Sequence, residues 1–541
     1  MFSRSLNAFM RYAPLDFAPL MRISPAMKAF VGGSARSWPN DMRLSERMSR
    51  PREYEALQRA RRTGLEEILH EELTEENLRD AIDLICAICE ESTWAQITPH
   101  VPFEDESFPK IDLNCAETAV LFGWASYRMG ELVSDDDRKE ETLRKHIPAV
   151  MSRMLFEVRR RVFRAATVHE DYPFISGESA YSLSIAVDIA VAAMLLERDE
   201  ARLNRLLKSM FGVIDKLLGD HNHYYIPLEE NVTDVASVAN LVYLIQRLTK
   251  GAVDLSCTTP DQESVDEILF SWISEDYFID PSGSGMQPPI SGSDVFRIGK
   301  IVTDRDLAAL GSQLHSLRKI MPRTFLSRML DPAFASQLEG NIDKPPRLKY
   351  AALRGNRLMT VRMGDLYCAM HAGGGRGNVG EICMFMNGLP MIPFMPAPSD
   401  ARNLPKFNKY EQVDQPKETC IADFTAYSDR ETLSIDLTDA YPPECKLESY
   451  QRTIISMRDE STLRLVEAVR FTEPSSAAFT FYLALRPTVV SAAVRIGQIR
   501  LTWEGTLKVT QTPMENGITE LTFTTDDNIL NGMFAFNFEL S

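Results

Sequence analysis

The chain has no run of about 18 consecutive apolar residues, the length a membrane-spanning helix needs, so no transmembrane segment is expected. Its N-terminal stretch is interrupted by Arg11, Pro14, Asp16 and Arg22. No continuous apolar core of a secretory signal is present there, and none is expected. Cysteine is sparse: eight in 541 residues, irregularly spaced, too few for a disulfide framework. Cys86 and Cys89 form a C-x-x-C, but they continue the helical pattern Leu78, Ala81, Ile82, Ile85. A zinc or redox site would want a turn and a second pair, so both are read as small buried helix residues in a reduced, cytoplasmic protein. Positive charge is also short, with 59 Lys and Arg against 76 Asp and Glu and a net charge of −17. That balance excludes nucleic acid as the expected partner, because phosphate neutralisation needs a basic surface. It also opposes a general field attraction for a polyanion. Screening confines surface fields to about 8–10 Å, so a local basic cleft remains compatible with a weakly charged acidic partner.

What the chain does contain is ordinary for a globular protein: 44% hydrophobic and 25% charged residues. Its length exceeds one ordinary core. Residues 1–50 form a Met- and Pro-rich extension without a clear period. From Glu53 a helical period sets in, with Thr74 as an N-cap and helices expected at 113–130, 138–166, 180–197, 200–218, 234–250, 262–274 and 304–330. Short Gly-, Pro-, Asp- or Asn-bearing links imply antiparallel neighbours. After Pro345-Pro346 the period changes. Leu358–Met363, Phe479–Leu483 and Ile518–Thr524 are rich in β-branched and aromatic residues and read as strands. Helices followed by strands indicate separate layers or domains. The expected division is an extension at 1–50, a helical domain at 51–340 and a sheet domain at 341–541.

Two stretches of the sheet half carry more specific information. One reads Gly374-Gly375-Arg376-Gly377-Asn378-Val379-Gly380, the other Arg402-Asn403-Leu404-Pro405-Lys406-Phe407-Asn408. Both resemble second-domain segments of heparinase II/III-like polysaccharide lyases. In that family the first usually carries His-Asn-His-Asn before the Val-Gly, and the second reads His-Asn-Leu-Pro-x-x-Asn. Here an arginine stands where each histidine is expected. Ile111–Ala119, Lys250–Leu255, Phe296–Lys300 with Asp304 and Leu307–Gly311, and the Ser434–Thr453 region fall in the family's order. Together these cover roughly residues 100–475. The resemblance implies an incomplete α/α toroid followed by an antiparallel β-sandwich, acting on an acidic, uronate-containing oligosaccharide or polysaccharide.

Uronate β-elimination needs a group that neutralises the carboxylate, a base for the α-proton and an acid for the leaving oxygen. The resemblance assigns these to an Asn or His, a Tyr and a second-domain His. The toroid motif that would supply the amide falls on Ala180-Tyr181-Ser182, and Glu230 lies near the position of the expected tyrosine. Tyr224 and Tyr225 stand close enough in sequence to substitute, or read as packing aromatics on a loop. His221-Asn222-His223 is the only histidine pair, at a spacing that suits no helical metal site; His223 reads either as a polar loop residue or as a base on a cleft rim. His371 follows a strand and reads either as a satisfied strand-end histidine or as a base. The candidate catalytic residues are therefore Tyr224, Tyr225, His223 and His371, and the candidate substrate-binding residues are Arg376, Arg402, Tyr181 and Glu230.

Some members of the family hold zinc with second-domain histidines and an aspartate. Those positions read Arg376, Phe394 and Arg402 here, and neither arginine nor phenylalanine ligates zinc, so no metal and no cofactor is expected. The two arginines would instead suit a carboxylate clamp, or pair with nearby acids. Gly373–Gly377 is not read as a phosphate loop, since no Gly-Lys-Ser/Thr and no helix follow it. Arg159, Arg160, Arg161 and Arg164 share a helix with Phe156 and Phe163 and read as a solvated basic face. With the expected catalytic set substituted, two functions stand side by side: a lyase using substitute groups, or a noncatalytic descendant that binds a glycan or a protein.

Overall fold

A computed structural model of the chain describes residues 2–12, 17, 42, 49–96, 110–134, 141–168, 172–219, 228–253, 255, 262–275, 277–280, 285–287, 290–340, 351–354, 358–372, 379–394, 401–413, 422–457, 462–490, 492–514 and 517–540. Helices come first: α1 (Phe2–Phe9), α2 (Pro51–Leu69), α3 (Glu75–Glu90), α4 (Leu113–Ser134), α5 (Glu141–Val158), α6 (Arg164–Val168), α7 (Pro173–Ser176), α8 (Ser182–Leu196), α9 (Glu200–Gly219), α10 (Leu228–Leu248), α11 (Gln262–Ser271), α12 (Gly292–Ile301), α13 (Arg305–Leu317) and α14 (Phe325–Glu339). Among the described residues no helix is long and apolar enough to cross a membrane. The chain forms two compact units, one of α1–α10 and α12–α14, the other of α11 and the strands.

Capping explains where the helices start. The side chain of Thr74 accepts from Asn77 N–H, Ser291 from Asp294 N–H, and Thr324 from Ser327 N–H. Asp304 accepts from the N–H groups of Asp306 and Leu307 at 2.9 Å each, and each such bond satisfies a donor the first turn leaves open. The single helix expected over 304–330 is two, α13 and α14. Pro322 lies between them and disfavours helical backbone before it, and Thr324 starts a new cap. The helix expected over 138–166 is broken by a π turn at Arg159–Phe163, which the hydrophobic period does not reveal. Every residue of α8 is buried, as befits a helix apolar all round; it packs against α4 and α9. The α12–α13 pair meets backbone to backbone, because a Cβ on Gly311 would lie 2.2 Å from Phe296 N.

The strands are β1 (Phe278–Asp280), β2 (Gly285–Gln287), β3 (Ala351–Arg354), β4 (Leu358–Met363), β5 (Leu366–His371), β6 (Ile382–Met386), β7 (Leu389–Ile392), β8 (Pro405–Phe407), β9 (Ala422–Ala426), β10 (Arg430–Asp436), β11 (Leu447–Met457), β12 (Thr462–Ser475), β13 (Ala477–Leu483), β14 (Thr488–Val490), β15 (Ala493–Ile496), β16 (Ile499–Glu504), β17 (Leu507–Pro513), β18 (Thr519–Thr525) and β19 (Ile529–Leu540). All pairings are antiparallel. They build an eight-stranded sheet (β14-β15-β16-β19-β12-β11-β10-β9), a four-stranded sheet (β17-β18-β13-β8), a five-stranded sheet (β3-β4-β5-β6-β7) and the β1-β2 hairpin. One apolar core joins the three larger sheets. Strands β5 and β6 are buried on both faces. Cys368, Met370 and Met384 point into that core, while Tyr367, Ala369, Cys383 and Phe385 point the other way, with Ile273, Ile279 and Phe394. The period of two puts His371 on this second face.

Candidate functional site

In the helical unit, Tyr181 precedes α8 with φ +60°, a left-handed conformation that costs a non-glycine residue roughly 1–2 kcal/mol. Its N–H donates to Glu230 Oε1 at 2.9 Å, and the Arg323 guanidinium lies 4.6 Å over its ring. Glu230 and Asp234, four apart on α10, both serve the α8 N-terminus, where partial positive charge favours carboxylates. Asp234 accepts from Ser184 N–H at 2.9 Å, Ser184 Oγ at 2.5 Å and Leu183 N–H at 3.4 Å. Burial pushes the Asp234 carboxyl up to about 7, against the pull of the Ser184 hydrogen bonds, and Glu230 adds to the rise. Deeper in α8, Asp188 is fully buried, and neither carboxyl oxygen has a hydrogen-bond partner among the described residues. Its carboxyl is raised by burial and then by Glu117, with Arg328 opposing. Arg328 is held by Glu66 in a fork of 2.8 and 3.0 Å. Sequence reasoning passed over Asp188 and Asp234. One acid inside the apolar run Ser182–Leu196 was the available signal.

In the sheet unit, His371 ends β5 and is 2% exposed. Its ring stacks on Phe394 at 4.5 Å, and Nε2 has no hydrogen-bond partner among the described residues. Burial, then the nearby Arg402 charge, lowers its pKa to about 4, so it is neutral at pH 7. Its burial against Phe394 does not favour the reading as a base, and the lack of a described partner for Nε2 does not favour the reading as a satisfied strand-end histidine. Arg402 Nη1 lies 4.0 Å from Glu381 Oε2, the glutamate side chain being 1% exposed.

The rest of the Arg402–Asn408 stretch holds strands together. Asn403 Nδ2 donates to the carbonyls of Pro393 (2.7 Å) and Ile382 (3.1 Å), and its Oδ1 accepts from Tyr482 N–H at 2.7 Å. Arg452 donates to the carbonyls of Gly380 (2.6 Å) and Asn403 (3.1 Å) and pairs with Glu467 at 2.6 Å, with both side chains buried. Asn408, at φ +51°, donates from Nδ2 to Ser475 Oγ and accepts from Ser476 N–H. At the positions where the resemblance implies zinc ligands, Phe394 and Arg402 offer no lone pair to a metal. Among the described residues no group of three His, Cys, Asp or Glu side chains could hold one. These residues do not fit a zinc ion.

His223, Tyr224, Tyr225 and Arg376, with His221 and the glycines 373–375 and 377, lie outside the described residues. Of the four described candidates, Tyr181 and Glu230 touch within the helical unit, and His371 and Arg402 are neighbours within the sheet unit.

No family model matches the chain, and no curated protein matches it. Solved structures do. The chain is similar to a heparinase III gene product at 9% identity and a TM-score of 0.63, covering 100% of this chain and 89% of that one. It is also similar to a mutant of the heparan sulfate lyase HepC from Pedobacter heparinus, at 10% identity, a TM-score of 0.61 and coverages of 99% and 87%. A further heparinase III structure gives a TM-score of 0.52 at 10% identity, with coverages of 99% and 89%. At such identities the likeness shows the fold: a heparinase-like polysaccharide lyase architecture, an incomplete α/α toroid followed by an antiparallel β-sandwich.

Proposed function

We propose that the protein engages an acidic, uronate-containing polysaccharide as a lyase-type protein. The observation that carries this reading is the likeness to heparinase III and heparan sulfate lyase structures along essentially the whole chain. Cleavage by β-elimination would fall to His223, Tyr224 and Tyr225 as acid and base. The substrate carboxylate would fall to Arg376 and Arg402, which match carboxylates in a planar fork. His371 is not suited to exchange a proton with a ligand, being buried under Phe394 and neutral.

That burial, with Arg402 already beside Glu381, favours a second reading, a glycan-binding protein without turnover. Elimination leaves an unsaturated uronate that absorbs in the near ultraviolet. The test follows that absorbance on heparan sulfate, heparin and alginate, beside affinity electrophoresis on the same glycans. Absorbance gain that falls about 10²–10⁴-fold in Tyr224→Phe, Tyr225→Phe or His223→Ala supports the lyase reading. Salt-sensitive retardation without absorbance gain, weakened in Arg402→Ala, supports the binding reading. Neither turnover nor retardation on any of these glycans sinks both.

A further inference from the structure

At the end of α8 remote from Tyr181, about 22 Å along the helix, the helical unit opens a pocket of about 410 Å³. Four arginines line it, Arg159 and Arg164 from one segment and Arg202 and Arg205 from α9, against a single acid, Glu197. In a chain of net charge −17 this is a local reversal of sign.

The π turn builds one wall. Arg164 N–H donates to the Arg159 carbonyl five residues back. In a regular α-helix those side chains would stand about 140° apart around the axis; here both line the pocket. Single π turns inside helices recur at functional sites. The other two members of the arginine run turn away. Arg160 and Arg161 pair with Glu157, and Arg161 also lies 4.9 Å over Trp94. Of the run expected as a solvated face, Arg160 and Arg164 are exposed, Arg161 is buried, and Arg159 and Arg164 line the pocket.

Of the four arginines, Arg159 is committed to a buried acid. Glu197, 1% exposed, is gripped by Arg159 through two bonds of 3.0 and 2.6 Å, so the one acid in the lining is already neutralised. Asp199 caps α9 by accepting from Arg202 N–H at 2.9 Å. Arg164, Arg202 and Arg205 are exposed and lie in no close ion pair among the described residues, although, after that Arg202 N–H bond, the charges of Arg202 and Arg205 help hold the Asp199 carboxyl below its usual range. Ser209 Oγ donates to the Ala166 carbonyl at 2.9 Å and fixes α9 against α6, so the two walls are held at a set spacing. Phe163 and Leu206, both buried, give an apolar floor.

The geometry points to a binding site for a small sugar-sized ligand bearing a tetrahedral oxyanion, phosphate or sulfate. Guanidinium forks match such oxyanions bidentately, the floor suits the apolar face of a ring, and the volume falls in the range of small-molecule sites. This site shares no residue with those proposed for the polysaccharide, and its test does not depend on turnover.

The experiment is calorimetric titration of the full-length protein at low salt with glucose 6-phosphate, glucose 6-sulfate and glucose. At least one charged sugar binds, weakening as salt rises, and glucose does not; the tighter of the two identifies the oxyanion. Arg164→Ala and Arg205→Ala, changes at exposed side chains, each weaken binding about tenfold, and Arg205→Lys, which keeps the charge without the fork, falls between. No binding of either charged sugar, or equal affinity in wild type and both alanine variants, overturns the assignment.

Discussion

His371 gives the sharpest physical test of the sheet unit. In the folded protein it titrates near pH 4, whereas an unfolded chain's histidine titrates near 6.5. Between those values the unfolded chain holds a proton that the folded one refuses. The depressed value therefore leaves stability fully present above pH 6.5 and erodes it as pH falls toward 4. The gap corresponds to about 3 kcal/mol in all, of which about 2 kcal/mol is already lost at pH 5. His371→Leu keeps an apolar side chain against Phe394 and removes the titration. Urea unfolding of wild type and variant at pH 7.5 and pH 5 should show the variant losing about 2 kcal/mol less on acidification, whatever offset separates them at pH 7.5. Selective carbon-13 labelling of the eight histidines gives the pKa directly, the His371 signal being the one absent from the variant. A His371 resonance titrating near 6.5, or the same acid loss in both proteins, would refute the reasoning.

Asp234 should act in the opposite sense. Its carboxyl is raised to about 7 from 3.8, so the folded protein keeps a proton that the unfolded chain has lost, and stability falls as pH rises through that window. Asp234→Asn should flatten the slope, read from unfolding midpoints at several pH values. Gly311→Ala places a methyl 2.2 Å from Phe296 N and should cost about 3 kcal/mol or more by forcing α12 from α13. Gly212→Ala, with open space around it, should leave Tm within about 2 °C in the same scan. Glu467→Ala leaves the Arg452 guanidinium buried without its carboxylate and should cost about 3–5 kcal/mol by denaturant unfolding.

The change of period near residue 345 made the order of helices and strands readable, because burial on one face imposes 3.6 or 2 on the apolar positions. Breaks within helices were less legible. Pro322 signals the end of α13, but the π turn at Arg159–Phe163 inserts one residue per turn without disturbing composition. The site was legible only in pieces. Tyr181 and Glu230 are 49 residues apart and meet through backbone and carboxylate, a contact no local pattern encodes. Arg452 and Glu467 are direct cross-strand partners of β11 and β12, so their pairing follows from register. For His371, the type and the strand were readable, while its covering by Phe394 depends on a segment beyond β7 that the sequence does not place.

Asn403 joins β6, the end of β7 and β13 through one amide, with every polar atom of that amide engaged. A search keyed on the Asn-Leu-Pro tripeptide therefore reads the rivet that closes the sandwich. A positive hit reports that three strands can be fastened, and is silent about whether anything is turned over. The two properties are separable in the laboratory as well: residue 402 can be exchanged to explore chemistry while the rivet beside it stays in place.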